Sequence, residues 1–495
     1  MAQTDRRLER FGLPLGISLA AAGVYLALND GSLLDWDTYQ RLRFIEHYRA
    51  DAGPDTHVLY HLILRGLIGL GLSPLQSVFF VTAASWGLFL VTASEVARAR
   101  GLAGAPRLMA VIVVAVASPG LIALVLSAED NVAYFAPLLL AFHLLTHSAD
   151  TERAERTRGS LAGILLAIAL LLNVTVLLYL VTLPLALVCM GLGQRRDAVR
   201  LGLAGGTMLV VYYLAYLTAF RDVPIAMHAF LPRALGLQDF DQSRAPLLST
   251  ERVAQYLGGL RAIALTPTLY RMTPPHWVAT LATAWAPAAL CLAYVALLVR
   301  AWHRVRGTIE ARRWLAPAAL AGLAFVFPYF YEPVLIERWD WAWLWLYLGL
   351  ISTLRSRPRA GAEVVLALVI AVHAGGALLV VSHHFQRRYE HDEESDLRAL
   401  VDSMPRDTNP MVLPAAINRH HLAYIAHRRP SRRLFLIGDD AGVPQCVELR
   451  RPLLEQALPC ATAMQAVDRA DAPFIDVAVG PDLLRRARSA VDASE

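Results

Sequence analysis

The sequence predicts an all-α polytopic membrane protein that carries a small C-terminal α/β domain outside the membrane. Of its 495 residues, 56% are hydrophobic and only 18% are charged, a more apolar balance than soluble globular proteins show. The apolar residues come in blocks of roughly 20, the length that carries a helix across a bilayer core about 30 Å thick. These blocks define a transmembrane module over residues 1–382, and residues 383–495 have the mixed composition of a soluble domain.

About eleven apolar segments are candidate spans, in a helical arrangement with an odd number of crossings. They cover residues 11–28, 75–97, 106–126, 132–147, 159–174, 175–192, 201–220, 276–299, 314–331, 341–354 and 361–382. The run 159–192 is interrupted only by "NVT" at Asn173. It is too long for one crossing and short for two, so this pair is the least regular part of the pattern.

Arginine placement orients the spans. The short loops 98–107, 153–158, 195–200, 300–313 and 355–359 hold most of the arginines of the module, which is the bias expected of the cytoplasmic side. The N-terminus is therefore predicted inside and the C-terminus outside. The net charge of +5 reflects this bias and gives no reason to expect a nucleic acid partner. The chain has no lysine, a composition typical of a GC-rich bacterial genome, so the predicted location is a bacterial cytoplasmic membrane.

Two long loops, 29–74 and 221–275, fall on the outer side. The first contains "HVLYHLILRGLIGLGLSP", whose apolar spacing predicts a helix on or dipping into the membrane surface. A full crossing is the competing interpretation, but it would invert every later loop. His57 and His61 share a face of this helix at i, i+4 spacing. A polar interfacial face explains them better than a metal pair, because no third ligand lies nearby in the sequence.

The tail alternates helix-like and strand-like segments, which predicts a docked α/β domain. In chain order they are "DLRALVDSM", "PMVLPA", "HHLAYIAHR", "RLFLIGDD", "RPLLEQAL" and "PFIDVAVG". "LIGDDAGVP" indicates the end of a strand followed by a turn. Cys446 and Cys460 both lie in this tail, and an oxidising compartment would leave them either bridged or free.

Three charged clusters face the predicted outer side, each at the end of a span. They lie in "SLLDWDTYQRLR" (residues 32–43), in "SAEDNVAY" (residues 127–134) and in "FPYFYEPVLIERWDW" (residues 327–341). Their charged members include Asp35 and Asp37, Glu129 and Asp130, and Glu332, Glu337 and Arg338. Solvated loops and an interfacial aromatic belt would explain any one cluster. Three on one face favour chemistry, because carboxylates serve as general bases or cation ligands and arginines bind phosphate.

The motifs resemble those of the GT-C class of membrane glycosyltransferases. "DWDTYQRLR" resembles the first acidic motif of oligosaccharyltransferase catalytic subunits, with Asp37, Tyr39 and Arg43 in matching places. "EDNVAYFAPLLL" resembles their second acidic motif at Asp130 and Asn131. "YEPVLIERWDW" is similar to the acid–arginine motif of lipid-dependent protein mannosyltransferases, without its leading His-Lys pair. The tail has no WWDYG-type motif, which argues against glycosylation of asparagine sequons.

The resemblance implies an inverting transfer of a sugar from a polyprenyl-phosphate-linked donor to a hydroxyl of a glycan, lipid or protein. Asp37 would be the general base, and Asp35, Asp130 or Glu129 would orient the acceptor or hold a divalent cation such as Mg²⁺ or Mn²⁺. Arg43 would pair with the acids, and the remaining candidates would line the cavity. The arginines implied for the donor phosphate are Arg338, Arg233, Arg244 and Arg252. The alternatives are a transporter or flippase of a lipid-linked sugar, which should show mid-membrane acids or an internal repeat, and a non-catalytic scaffold.

Overall fold

The computed structural model describes residues 12–28, 57–99, 132–146, 151–178, 195–221, 224–228 and 249–265 of the transmembrane module, single positions at 107, 111 and 180, and four strands of the tail. The helices of this part of the chain are α1 (Leu13–Leu28), α2 (Val58–Gly69), α3 (Pro74–Ala99), α4 (Phe135–Thr146), α5 (Glu152–Leu172), α6 (Arg195–Thr218) and α7 (Thr250–Leu265). A 3₁₀ turn, Val174–Leu178, follows α5. The predicted spans from residue 276 onward lie outside the described residues.

The described helices coincide with predicted spans. In this part of the chain α3 and α6 are long and apolar enough to cross a membrane. They match the predicted spans 75–97 and 201–220, and α1 and α4 match 11–28 and 132–147. The helix predicted after His57 is also present as α2, which packs one face against α3 and α5.

The charged starts of α5 and α6 are helical, whereas the sequence placed residues 153–158 and 195–200 in loops. The side chain of Thr151 caps α5 by accepting the N–H of Ala154, 3.2 Å away. Glu152 and Arg156 then pair at i, i+4 spacing. Arg and Glu are good helix formers, so nothing in these residues stops the helix. The apolar pattern marks only the stretch that a bilayer could hold, and the helix is longer than that stretch.

A defined corner joins α2 to α3. Gly71, with φ of 101°, donates its N–H to Ile68, and Leu72 donates to Leu67, the two bonds of a Schellman motif. Ser73 then begins α3 through a capping box. Its hydroxyl accepts the N–H of Gln76, and the Gln76 side chain accepts the N–H of Ser73. The direction of α2 relative to α3 is therefore fixed by local hydrogen bonds.

Two glycines let α5 lie directly against α6. A Cβ atom built on Gly163 would lie 2.5 Å from the carbonyl oxygen of Ala204, and one on Gly159 would lie 3.0 Å from that of Arg200. The spacing Gly-xxx-Gly puts both on one face, the arrangement with which membrane helices bring their backbones close together. A side chain at either position would therefore separate the two helices.

The same contacts show that α5 and α6 run parallel, because later residues of α5 meet later residues of α6. Gly159 lies at Arg200 and Leu203, and Gly163 lies at Ala204 and Thr207. Leu172, the last residue of α5, and Arg195, the first residue of α6, therefore lie at opposite ends of this helix pair.

A buried ion network joins the starts of α5 and α6. The Arg200 guanidinium, 1% exposed, donates to a Glu155 carboxylate oxygen at 2.8 Å and also to Asp197. Residues 195–200, which in the sequence served only to orient the spans, therefore also form a buried ion pair with α5. A second buried arginine, Arg107, donates to the carboxylate of Glu95, again at 2.8 Å.

The four described strands of the tail form one sheet in the order β1-β2-β3-β4. They are β1 (Met411–Pro414), β2 (Leu434–Asp440), β3 (Val443–Arg450) and β4 (Leu454–Leu458). The first pair is parallel and the other two pairs are antiparallel. The strands predicted at "PMVLPA" and "RLFLIGDD" are confirmed, as is the turn after β2.

One segment of the tail is a strand where the sequence pattern indicated a helix. "RPLLEQAL" was helix-like in pattern, but it forms β4, whose residues pair in register with those of β3. Pairing with a neighbouring strand outweighs the local helix preference of so short a segment. The helices predicted for the tail lie outside the described residues, so the α/β assignment of this domain stays a prediction.

Cys446 of β3 is buried and disulfide-bonded. Its partner in the strand register is Leu458, and Cys460 follows two residues later. Neighbours at that diagonal spacing share one face of an antiparallel pair. The register therefore agrees with the predicted bridge between Cys446 and Cys460, although Cys460 itself lies outside the described residues.

Candidate functional site

Most of the predicted site residues lie outside the described residues, and the structure shows instead how the segments that carry them are anchored. Those outside are Asp35, Asp37, Tyr39, Arg43, Glu129, Asp130, Arg233, Arg244, Glu332, Glu337 and Arg338. Three predicted residues are described, namely His57, His61 and Arg252. Whether the acids and Arg338 converge on one cleft stays a prediction.

The first acidic loop ends at His57, where α2 begins. The Nδ1 atom of His57 lies 3.2 Å from the carbonyl oxygen of Leu172, the last residue of α5. The carbonyls in the last turn of a helix have no N–H donor within the helix. The ring nitrogen of His57 supplies a donor for the carbonyl of Leu172 from outside it. The imidazole therefore fastens the end of the acidic loop to the end of α5.

His61 lies one turn further along the same face of α2. Its ring centroid is 6.3 Å from that of His57, which confirms the predicted shared face. The side chain is only 2% exposed, alongside the buried Tyr60 and Leu64. His61 is thus part of the packing of α2 against the protein, not of an exposed polar face.

The second acidic motif leads directly into a packed aromatic cluster. The residues that follow Asn131 are Val132, Ala133 and Tyr134, and all three are buried. Tyr134 contacts Phe135, with ring centroids 5.1 Å apart. Phe135 in turn packs on Phe89 of α3. The turn that carries Glu129 and Asp130 is therefore held at its C-terminal side by the protein core.

The second outer loop contributes α7, which begins at a serine cap. The hydroxyl of Ser249 accepts the backbone N–H of Arg252 at 3.0 Å. The Arg252 side chain is 4% exposed, so its guanidinium is inside the protein rather than on a solvated face. Tyr256 lies one turn later, and burial raises the pKa of its phenol, which keeps the side chain neutral. Val253 and Leu257 remain exposed on the neighbouring face.

The last turns of α6 carry an aromatic cluster that the sequence motifs did not indicate. Tyr212 and Tyr216 are buried there, with ring centroids 5.0 Å apart. Tyr213 lies beside them, and its hydroxyl is 2.6 Å from Nε2 of His228. The spacing of two tyrosines at i, i+4 was a visible signal. That spacing puts both rings on one face of the helix.

The described residues contain no group of three or more His, Cys, Asp or Glu side chains that could hold a metal ion. His57 and His61 are two potential ligands without a third among these residues. The carboxylates predicted to bind Mg²⁺ or Mn²⁺ lie outside this part of the chain. The divalent cation therefore stays a prediction that no described side chain supports.

Comparison with known proteins identifies the fold. No family model and no curated protein matches the sequence. The crystal structure of ArnT from Cupriavidus metallidurans bound to undecaprenyl phosphate matches with a TM-score of 0.54 and 13% identity, over 87% of this chain and 85% of that chain. ArnT from the same organism in the apo state covers 89% of this chain and 94% of its own, at 12% identity and a TM-score of 0.39. The fold assignment depends on the first of these structures. This chain therefore has the fold of ArnT, in agreement with the GT-C arrangement that its sequence motifs resemble.

Proposed function

We propose that the protein is a GT-C glycosyltransferase that moves a sugar from a polyprenyl-phosphate-linked donor to an acceptor hydroxyl at the outer face of the bacterial cytoplasmic membrane. The observation that carries this proposal is the fold shared with ArnT in its undecaprenyl phosphate complex over 87% of the chain. Undecaprenyl phosphate is the group that leaves when a sugar departs from a polyprenyl-phosphate donor. A fold that accommodates this lipid phosphate therefore suits the donor that the sequence motifs imply.

The reaction needs a base for the acceptor and positive charge for the leaving phosphate. Asp37 is proposed to take the proton of the acceptor hydroxyl as its oxygen attacks the anomeric carbon in line with the departing phosphate. Arg338 is proposed to bind that phosphate, because guanidinium groups bind phosphate oxygens in a bidentate manner.

The described anchors lie where two acidic segments of the sequence end. His57 ties the end of the first acidic loop to α5, and Tyr134 and Phe135 hold the exit of the second acidic turn against α3. Catalytic carboxylates work best when the segments that carry them are held in place before the substrate arrives. These anchors support an enzyme site at the outer surface. The flippase alternative gains no support from the shared fold.

Replacement of Asp37 tests the proposed base. We expect Asp37→Asn to lower sugar transfer by roughly 10²–10⁴-fold, because the amide has nearly the size of the carboxylate but cannot accept the proton. Binding of undecaprenyl phosphate should be unchanged in this variant. Arg338→Ala, in contrast, should lower the affinity for undecaprenyl phosphate. The measurement is transfer of labelled sugar from undecaprenyl-phosphate-linked donors by the purified protein in lipid nanodiscs.

The matched control is Asp51→Asn, which removes a carboxylate from the same outer loop outside the motif. It should transfer at the parent rate. Parent-level transfer by Asp37→Asn would exclude Asp37 as the base and move the role to Asp35 or Asp130. If replacement of the acids in either loop left sugar transfer unchanged, the glycosyltransferase proposal would be wrong and the transporter would be the better interpretation.

The predicted orientation has its own test. A reporter that is active only in the periplasm, fused after Glu495, should be active if the C-terminus lies outside the cytoplasm.

A further inference from the structure

The chain that leaves α6 folds back onto the tyrosines at the end of that helix. Residues 224–228, here named the strap, follow α6 after a short turn at Ala219 and Phe220. The hydroxyl of Tyr216 accepts the backbone N–H of Ala226, and the hydroxyl of Tyr212 accepts that of Met227, each at 3.3 Å. The third contact is the 2.6 Å hydrogen bond between Tyr213 and His228. Three consecutive strap residues thus each meet a tyrosine of α6.

These bonds satisfy amides that the strap cannot satisfy itself. The strap ends in a helical turn, in which His228 donates its N–H to the carbonyl of Ile225. The first N–H groups of a helical turn have no acceptor within it and are usually capped by a Ser, Thr, Asp or Asn side chain. The residue types before the turn, Pro224 and Ile225, offer no such cap. Two phenols of α6 take its place.

The contacts are buried, which makes them specific. Ala226 is 2% exposed and Met227 is 9% exposed, and Tyr212 and Tyr216 are at 0% and 2%. A buried N–H without an acceptor costs free energy, so the strap has one favoured position against α6. The Tyr213–His228 contact, in contrast, is exposed. This contact is a further hydrogen bond between the strap and α6, but no buried polar group depends on it.

We propose that Tyr212 and Tyr216 are positioning residues for donor binding, acting through the strap. The strap is the start of the second outer loop, residues 221–275, and Arg233 follows His228 by five residues. A fixed strap limits where the next few residues can go, since each residue spans at most about 3.3–3.6 Å. The tyrosines therefore fix the point from which the chain runs on to the first arginine that is predicted to bind the donor phosphate. This inference depends on the proposed function.

The test measures both the hydrogen exchange of the strap and the affinity of the protein for undecaprenyl phosphate. In the double variant Tyr212→Phe, Tyr216→Phe, both buried amides lose their acceptors while the rings remain. We expect hydrogen exchange of the peptide covering residues 224–228 to become about 10–100-fold faster. Affinity for undecaprenyl phosphate should fall about tenfold, and the donor KM should rise in parallel while kcat stays within about threefold. The single variants should each give a smaller change in the same direction.

Two controls separate positioning from general damage. Tyr25→Phe removes another buried phenol, in α1, and should change neither the exchange of residues 224–228 nor undecaprenyl phosphate affinity. Tyr213→Phe removes only the exposed contact and should have a small effect on both. The thermal stability of each variant is measured, and hydrogen exchange and affinity are compared only among variants of similar stability. If the double variant fails to fold, the two single variants replace it.

The outcomes that overturn the inference are distinct from failure of the proposed function. Unchanged exchange in the double variant would show that the phenols do not hold the strap. Faster exchange with unchanged undecaprenyl phosphate affinity would show that the strap is held but positions nothing. If the parent protein neither binds undecaprenyl phosphate nor transfers sugar, the proposed function fails, and the positioning role fails with it even when the exchange result is as expected.

Discussion

At its first turns α6 meets α5 through a buried guanidinium and two carboxylates, whereas at its last turns the same helix meets the strap through phenol hydroxyls and backbone amides. Arg200 and Tyr212 are separated by about 18 Å along the helix, from a rise of about 1.5 Å per residue. The side chains that make these polar contacts are buried at both ends. They differ in what remains after one partner is lost, namely an unpaired charge at the first turns and an unpaired amide at the last.

This difference predicts unequal consequences. An uncompensated charge in a low-dielectric region costs several kcal/mol, whereas an unmet hydrogen bond of a neutral group costs about 1–3 kcal/mol. The start of α6 should therefore control the stability of the helix pair. The end of α6, where each bond is weaker, is better suited to hold a segment whose placement matters for function.

Removal of Arg200 alone should have the largest effect. We expect Arg200→Met to destabilise the protein by about 3–5 kcal/mol, because it leaves the carboxylates of Glu155 and Asp197 buried without their cation. Thermal unfolding of the purified protein in detergent measures this. The triple variant Glu155→Gln, Asp197→Asn, Arg200→Met removes the charges together and should recover much of the loss. A triple variant as unstable as the single one would mean that packing of the arginine, and not its charge, supports the contact.

A glycine series tests whether the charged end also depends on close backbone contact. Gly163→Ala should destabilise by about 1–3 kcal/mol, since its Cβ would lie 2.5 Å from the Ala204 carbonyl and 2.7 Å from Thr207. Gly206→Ala is the matched control on α6, where nothing lies within 4 Å. There the same substitution should be neutral or stabilise by up to about 1 kcal/mol, because alanine favours the helix. Equal effects at both glycines would contradict the parallel packing of α5 on α6.

The sequence predicted the helices near residues 11–28, 75–97, 132–147 and 201–220, because the length of an apolar block is a local property. It did not predict the partners of Arg200. Glu155 lies 45 residues earlier in the chain and reaches Arg200 only because α5 and α6 are parallel neighbours. The same limit applies to the strap. Tyrosines at a span end have one pattern whether they face lipid headgroups or hold a returning chain.

The candidate site was predictable to a different degree. Acidic motifs are short and local, so the sequence located them, and the resemblance they carried agrees with the fold. His57 was visible as one of a pair, and its shared face with His61 followed from helical spacing alone. Its actual contact, the carbonyl of Leu172, was not visible. A backbone carbonyl at a helix end has no residue type to mark it, and only the three-dimensional path of the chain brings it there.

His57 extends the comparison to α5, whose first turns hold Glu155 and whose last carbonyl lies beside an imidazole ring. Loss of this one hydrogen bond should cost about 1 kcal/mol in His57→Ala, less than loss of a buried ion pair. His57→Asn should retain most of the stability, because the amide nitrogen of asparagine can occupy the position of Nδ1. Thermal unfolding would show the order parent, Asn, Ala. Sugar transfer should follow the same order if the first acidic loop depends on this anchor. An asparagine variant as unstable as the alanine one would mean that ring packing against His61, rather than the bond to Leu172, holds the start of α2.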